Sequence, residues 1–319
     1  GILSTGTISN KFTTGLADLP DTEVVAVGSR TLESANAFGD KFNIQTRYGS
    51  YEDLVADPTV DVIYIGTPHP FHAENSLLCL DAGKAVLCEK PFTINAAEAS
   101  RVIAAAREKG LFLMEAMWVR FLPQLVRLRE MLAADAIGKL ELLQADIGFN
   151  APFNPTSRLY DPKLGGGALL DIGVYVVSFA HMVLGKPESI HSTANMAPTN
   201  VDHTNAMLFQ HDMSSTSLLA SSIAMKGLRN TTIIGSEGII RMAGINSGQL
   251  SVDMHGESEE IIRLDPPLNG YNYQALEVNR CLREGKLESD IMPLDETLAI
   301  METMDAVRAQ WGLRYPMEH

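Results

Sequence analysis

The chain opens with short apolar runs alternating with longer segments whose apolar residues recur at helical spacing. Residues 1–4, 23–29, 60–67 and 85–90 read as strands, nearly continuous in apolar side chains. Between them residues 31–42, 69–82 and 95–109 read as helices. In the last, Ala97, Val102, Ile103, Ala104 and Ala106 follow Asn95, a residue suited to an N-cap. Apolar strands alternating with amphipathic helices predict a parallel sheet covered on both faces, with ligands bound beyond the carboxyl ends of its strands. After about Gly138 the pattern changes. Residues 139–149, 188–196, 203–212, 217–225, 231–242 and 249–255 are β-rich runs separated by turn residues, and 273–284 and 293–311 read as closing helices. The chain is therefore expected to be α/β in two domains, 1–118 and 119–319.

Size and charge narrow the function classes. A chain of 319 residues, 45% hydrophobic and 20% charged, has ordinary globular composition and room for two cores. No apolar run reaches about 18 residues, so no membrane span is expected, and no signal-peptide pattern is visible. The chain starts without Met in what reads as the middle of a strand, so a few residues are expected to be missing in front. A net charge of −14 argues against non-specific nucleic-acid binding, which rests on clustered Lys and Arg. Three cysteines at unrelated spacings, Cys79, Cys88 and Cys281, suit a reducing compartment, the cytoplasm by default, with Cys79 and Cys88 as core residues. Eight histidines form no His-x-x-x-His or Cys/His cluster, so no metal site is expected.

Candidate chemistry concentrates at four places. The run Lys84-Ala85-Val86-Leu87-Cys88-Glu89-Lys90-Pro91-Phe92 delivers Glu89 and Lys90 to the carboxyl end of an interior strand, where a lysine is a candidate catalytic cation rather than a plain strand end in solvent. The first turn, Ser4-Thr5-Gly6-Thr7-Ile8-Ser9, puts Ser4, Gly6 and Ser9 at the three glycine-type positions of a dinucleotide turn and keeps only the central glycine. The second strand ends in Ser29-Arg30, where an NAD site usually has an acid; a hydroxyl followed by a guanidinium suits a 2′-phosphate. The fourth place is the run 164–175, opening a helix that is apolar nearly all round through Leu184. In it Asp171 and Tyr175 are four residues apart on one face, and the three preceding glycines admit another backbone or a ligand.

Gly6, the turn Thr67-Pro68-His69-Pro70-Phe71-His72, Glu89-Lys90-Pro91, Glu115-Ala116-Met117-Trp118 and the run 165–175 together resemble the family of glucose-fructose oxidoreductase and inositol dehydrogenase. Residues 114–123 and 166–175 look most like its branch of NADP-dependent D-xylose 1-dehydrogenase and dimeric dihydrodiol dehydrogenase. The resemblance covers essentially the whole chain. It implies an N-terminal Rossmann domain and a C-terminal α/β domain with an open, mainly antiparallel sheet. It implies hydride transfer between nicotinamide C4 of NADP, with NAD less favoured, and a sugar or diol. By the same resemblance Tyr175 is the general acid/base, Lys90 the cation that lowers its pKa, Asp171 their orienting partner, and Pro91 cis. The cofactor contacts implied are Gly6, Thr7, Ile8, Ser29, Arg30, Thr67, Pro68, His72, Glu89 and Lys90. Trp118 and Phe149, with Phe153 and Tyr160 behind them, are candidate flat apolar contacts for substrate beside Tyr175.

Two other readings share this fold: a non-enzymic NADP-binding regulator and a nicotinamide-dependent glycoside hydrolase. Retention of both Lys90 and Tyr175 argues for chemistry over a regulator, a hydrolase would show no net reduction of its cofactor, and His72 and His181 stand next as acid/base if Tyr175 does not act. Residues 216–225 carry no charge and alternate small polar with apolar side chains. They predict a sheet face that pairs with a second copy, as a homodimer or dimer of dimers, with Ser217 and Ser221 on that face.

Overall fold

The computed structural model describes residues 1–17, 19–211, 215–226, 229–254, 259–264 and 269–318. The expected strand ends Asp212 and His255 lie outside them. Two compact units emerge, Gly1–Phe121 with Pro267–Leu298, and Leu122–Pro266 with Ala299–His319. The sequence pattern divides the chain once, near Trp118. The structure divides it close by, at Phe121, and also gives the first unit a later segment, because the helix Asn272–Arg283 packs on the first unit's opening helix.

The first unit is built from β1 (Ile2–Leu3), α1 (Thr7–Leu16), β2 (Ala26–Gly28), α2 (Leu32–Phe42), β3 (Thr46–Tyr48), α3 (Tyr51–Val55), β4 (Val62–Ile65), α4 (His72–Asp81), β5 (Ala85–Glu89), α5 (Ala96–Lys109) and β6 (Leu113–Ala116). Its six strands lie in the order β3-β2-β1-β4-β5-β6, and every pair is parallel. Strand order reverses about β1 and β4, the place where α/β sheets bind ligands. Strands β4, β5 and β6 bury both faces, as their unbroken apolar runs require. Asn95 caps α5 by accepting from the Glu98 amide at 2.9 Å. Local pattern missed β3 and α3, each five residues or fewer.

The second unit comprises α6 (Pro123–Ala133), β7 (Leu140–Gly148), a π-helical turn (Leu169–Gly173), α7 (Val174–Leu184), β8 (Ser189–Met196), β9 (Asp202–Gln210), β10 (Thr216–Ser222), β11 (Thr231–Gly235), β12 (Gly238–Met242), β13 (Gln249–Met254) and β14 (Glu260–Arg263). The eight strands run β14-β13-β12-β11-β7-β10-β9-β8, antiparallel except for β7 with β10. The single run expected over 231–242 is a hairpin, β11 and β12.

Helix α7 and the turn before it pack on β7 and β10. The stretch Pro162–Leu184 has a window of mean hydropathy 1.7, so by length and composition it matches a membrane span, which the sequence reading did not anticipate; 78% of that window is buried in the protein. It is the core helix of its unit. The phase of β10 corrects another expectation. Ser217 and Ser221 are fully buried on the helix side, where Ser217 meets the His211 ring at 3.0 Å and Ser221 donates to Asn205 Oδ1 at 2.9 Å. The open face shows Leu218, paired across the ladder with Leu208, both about two-fifths exposed.

Candidate active site

In the first unit four neighbouring strands end side by side. Gly6, after β1, caps α1 in extended conformation with no side chain bonded to the first turn and no acid there. A Cβ on Gly6 would find its nearest neighbours at 3.7 Å (Ser4 Oγ) and 3.9 Å (Gly66 carbonyl), so the space over the amides of Thr7 and Ile8 is open. Uncapped amides at the positive end of a helix, under an open approach, fit a pyrophosphate. Ser9 is buried, and a Cβ on Gly66 would lie 2.4 Å from its hydroxyl oxygen. The close helix-to-strand contact usually secured by glycine or alanine on the helix is secured here by Gly66 on the facing turn. Ser29 is buried with Oγ 3.4 Å from Thr5 Oγ1, while Arg30 is exposed. Glu33, the next acid, lies in the first turn of α2.

The turns after β4 and β5 are tied by one side chain. The His72 ring is fully buried, with Nε2 2.8 Å from the Thr67 carbonyl and Nδ1 2.8 Å from the Pro91 carbonyl. Burial lowers its pKa, while the two carbonyls favour the cation. Both ring nitrogens are engaged by backbone. His72 thus joins the two turns, where the sequence reading put it against the cofactor. Thr67 accepts from Asn75 at 3.1 Å, and Pro68 opens the short 3-10 turn His69–Phe71. The Lys90-Pro91 bond is cis. Glu89 lies under this edge, buried, accepting from the Tyr64 hydroxyl at 2.7 Å and from the Lys90 amide at 3.2 Å. Burial raises its pKa to about 7, against the lowering pulls of the Tyr64 hydroxyl and the Lys90 charge. Glu89 fixes the backbone that presents half-buried Lys90. Trp118 stacks on Tyr271 at 4.6 Å in the same unit.

In the second unit Asp171 falls within the π-turn and Tyr175 in the first turn of α7, so a change of helix pitch separates them, where a uniform helix was expected. Asp171 is buried and Tyr175 partly exposed. The glycine run before them admits backbone: a Cβ on Gly166 would meet the carbonyls of Leu159 at 2.9 Å and Asp161 at 3.0 Å. Three groups that local pattern did not mark hold this helix. Asp202 accepts from the Leu169 amide at 2.8 Å, Tyr315 donates to the Gly166 carbonyl at 2.8 Å, and Arg158 donates to Asp171 at 2.6 Å. The Asp202 carboxyl is raised to about 7 by burial. Among the candidate aromatics, Phe149 is partly exposed and Phe153 exposed, whereas Tyr160 is buried with its hydroxyl on the Ala151 carbonyl, a core position. His181 is likewise buried, 3.0 Å from the Thr303 hydroxyl. Among the described residues no cluster of His, Cys, Asp and Glu is gathered for a metal.

A six-stranded parallel sheet with an open helix N-terminus at its switch point is the architecture of a dinucleotide-binding domain. Residues 1–117 match the oxidoreductase family with an NAD-binding Rossmann fold, and residues 125–241 match the GFO/IDH/MocA C-terminal domain. The chain is 41% identical to mouse trans-1,2-dihydrobenzene-1,2-diol dehydrogenase, covering 100% of this chain and 98% of the relative, and 40% identical to the human enzyme with the same coverage. A 3-ketoreductase from Actinomadura kijaniata, solved with NADP and TDP-benzene, superposes with a TM-score of 0.86 at 27% identity over 97% of this chain and 96% of that one. The chain belongs to the GFO/IDH/MocA oxidoreductase family.

Proposed function

We propose that the protein oxidises a trans-dihydrodiol or a D-xylose-type aldose, with NADP as hydride acceptor in preference to NAD. The observation that carries the cofactor reading is Ser29-Arg30 at the end of β2, a hydroxyl and an exposed guanidinium where a ribose-binding acid would stand. The ketoreductase solved with NADP and the dihydrodiol dehydrogenases aligned over the whole chain support cofactor and substrate class. NADP, when bound, takes up the hydride; the chain's own residues handle the proton. Tyr175 accepts it from the substrate hydroxyl. A phenol with a pKa near 10 is a poor base at neutral pH, so Tyr175 needs a cation, and Lys90, presented by Glu89 and the turn that His72 ties, is the residue proposed for it. Asp171 orients the pair.

We also propose that two copies pair through the open face of the second unit's sheet. Leu208, Leu218 and Ala220 form an apolar patch in a shallow basin of about 620 Å³ there, rimmed by polar residues such as His191, Asn230 and Thr232, a mixture that suits a contact between copies.

Absorbance of reduced cofactor tests the enzymatic reading. Wild type with trans-1,2-dihydrobenzene-1,2-diol or D-xylose should reduce NADP at a kcat/KM at least about tenfold above that for NAD, one charge-assisted phosphate contact being worth about 1.5–3 kcal/mol. Net reduction separates a dehydrogenase from a regulator and from a hydrolase that recycles its cofactor.

A further inference from the structure

One side chain holds both peptide groups of the turn that opens α1. Asn10 Nδ2 donates to the Thr5 carbonyl at 3.2 Å and to the Gly6 carbonyl at 2.9 Å, and the Asn10 backbone amide donates to the same Gly6 carbonyl at 3.1 Å. The far end of the side chain is tied as well. Lys41 on α2 donates from Nζ to Asn10 Oδ1 at 2.7 Å, with its ammonium 5.1 Å from the centre of the Phe42 ring. An ammonium only donates and a carbonyl only accepts, so both ends agree on which Asn10 atom is oxygen and which is nitrogen. Among the described residues no other side-chain donor reaches either carbonyl.

In a trans peptide the N–H points opposite to the C=O. Both peptides of this turn are trans, so with the Thr5 and Gly6 carbonyls turned toward Asn10, the amides of Gly6 and Thr7 are turned away from it. There they meet little. The Gly6 amide has a long contact of 3.4 Å with Ser4 Oγ, and no side chain caps the first turn of α1. We propose that Asn10 is a positioning residue for the cofactor: it sets these two peptide planes so that the amides of Gly6 and Thr7 face the pyrophosphate. The proposal rests on this turn binding the pyrophosphate, in the NAD-binding Rossmann domain that residues 1–117 match. This chain has particular need of such a hold. Ser4 stands at a φ of 93°, which disfavours a residue with a side chain, so the turn is less secure by itself than one built on glycine.

The test is calorimetric titration of wild type, Asn10→Ala and Asn10→Asp with NADP and, separately, with NAD. Asn10→Ala should weaken both cofactors by the same factor, about tenfold, because the pyrophosphate is common to the two while Arg30 would meet only the 2′-phosphate. Asn10→Asp keeps the side chain's size and its contact with Lys41 but offers no donor, so it should lose at least as much; a side chain with a merely structural role would be replaced there without loss. Alanine favours a helix and an acid suits its first turn, so the thermal midpoints of both variants should stay close to that of wild type. Wild-type affinity for both cofactors in either folded variant overturns the proposal, as does a loss confined to NADP, which would put the effect at the ribose end. A wild type that binds neither cofactor would instead overturn the pyrophosphate reading on which the proposal rests.

Discussion

Ser4 occupies a backbone position that favours glycine. Its φ of 93° puts a side chain where L-residues are strained, at the first of the three turn positions that usually carry glycine. The hydroxyl returns little, since its contact with the Gly6 amide is 3.4 Å long. Ser4→Gly should relieve about 1–2 kcal/mol of strain against about 0.5–1 kcal/mol of added chain entropy, so the thermal midpoint should rise by a degree or two. A lower midpoint would show the serine to be the better residue. At this scale the sequence was informative where chemistry and position coincide: Lys90 at a strand end, Gly6 before a helix, Tyr175 in an apolar run. It was silent on Arg158, Asp202 and Tyr64. Their partners lie 13, 33 and 25 residues away, and no local spacing marks such a pair.

Strands β5 and β6 bury two carboxyls side by side, Glu89 and Glu115, with Cys88 paired to Glu115 in the ladder. Burial raises Glu115 to about 7, opposed by the Arg120 charge and the Thr297 hydroxyl. A folded-state pKa above the unfolded value means that the folded protein holds the proton more tightly. The resulting stability is complete below about pH 4.5 and is lost as pH rises through 7. Glu115→Gln should flatten that decline by up to about 3 kcal/mol between pH 4.5 and 7, read from thermal midpoints at each pH. An unaltered slope would mean that Glu115 is ionised in the folded protein across this range. Element types were legible wherever period and length agreed, as in α5 and β5. The π-turn was not, because a one-residue change of hydrogen-bond register leaves the apolar pattern of 168–184 intact. Nor was the phase of β10, since serine sits as readily on a buried, hydrogen-bonded face as on an open one.

For the molecule as a whole, the sequence conveyed two α/β units and the change from parallel to mainly antiparallel pairing, but not the return of a later segment to the first unit. Long-range packing of the helix Asn272–Arg283 decides that, and its own amphipathic pattern names no partner. The proposed pairing of two copies predicts opposite results from neighbouring residues. Leu218→Lys on the open face should give a folded monomer by light scattering, because like charges would face each other in a desolvated contact. Ser217→Lys on the buried face should instead lower the thermal midpoint. A Leu218→Lys protein with wild-type mass would remove that face from the assembly. The central claim is that this chain transfers hydride from a diol or sugar to NADP with Tyr175 moving the proton. The most direct measurement is the reduced-cofactor assay on wild type beside Tyr175→Phe: turnover should fall at least about a hundredfold with NADP affinity kept, whereas equal rates for the two proteins would contradict the account.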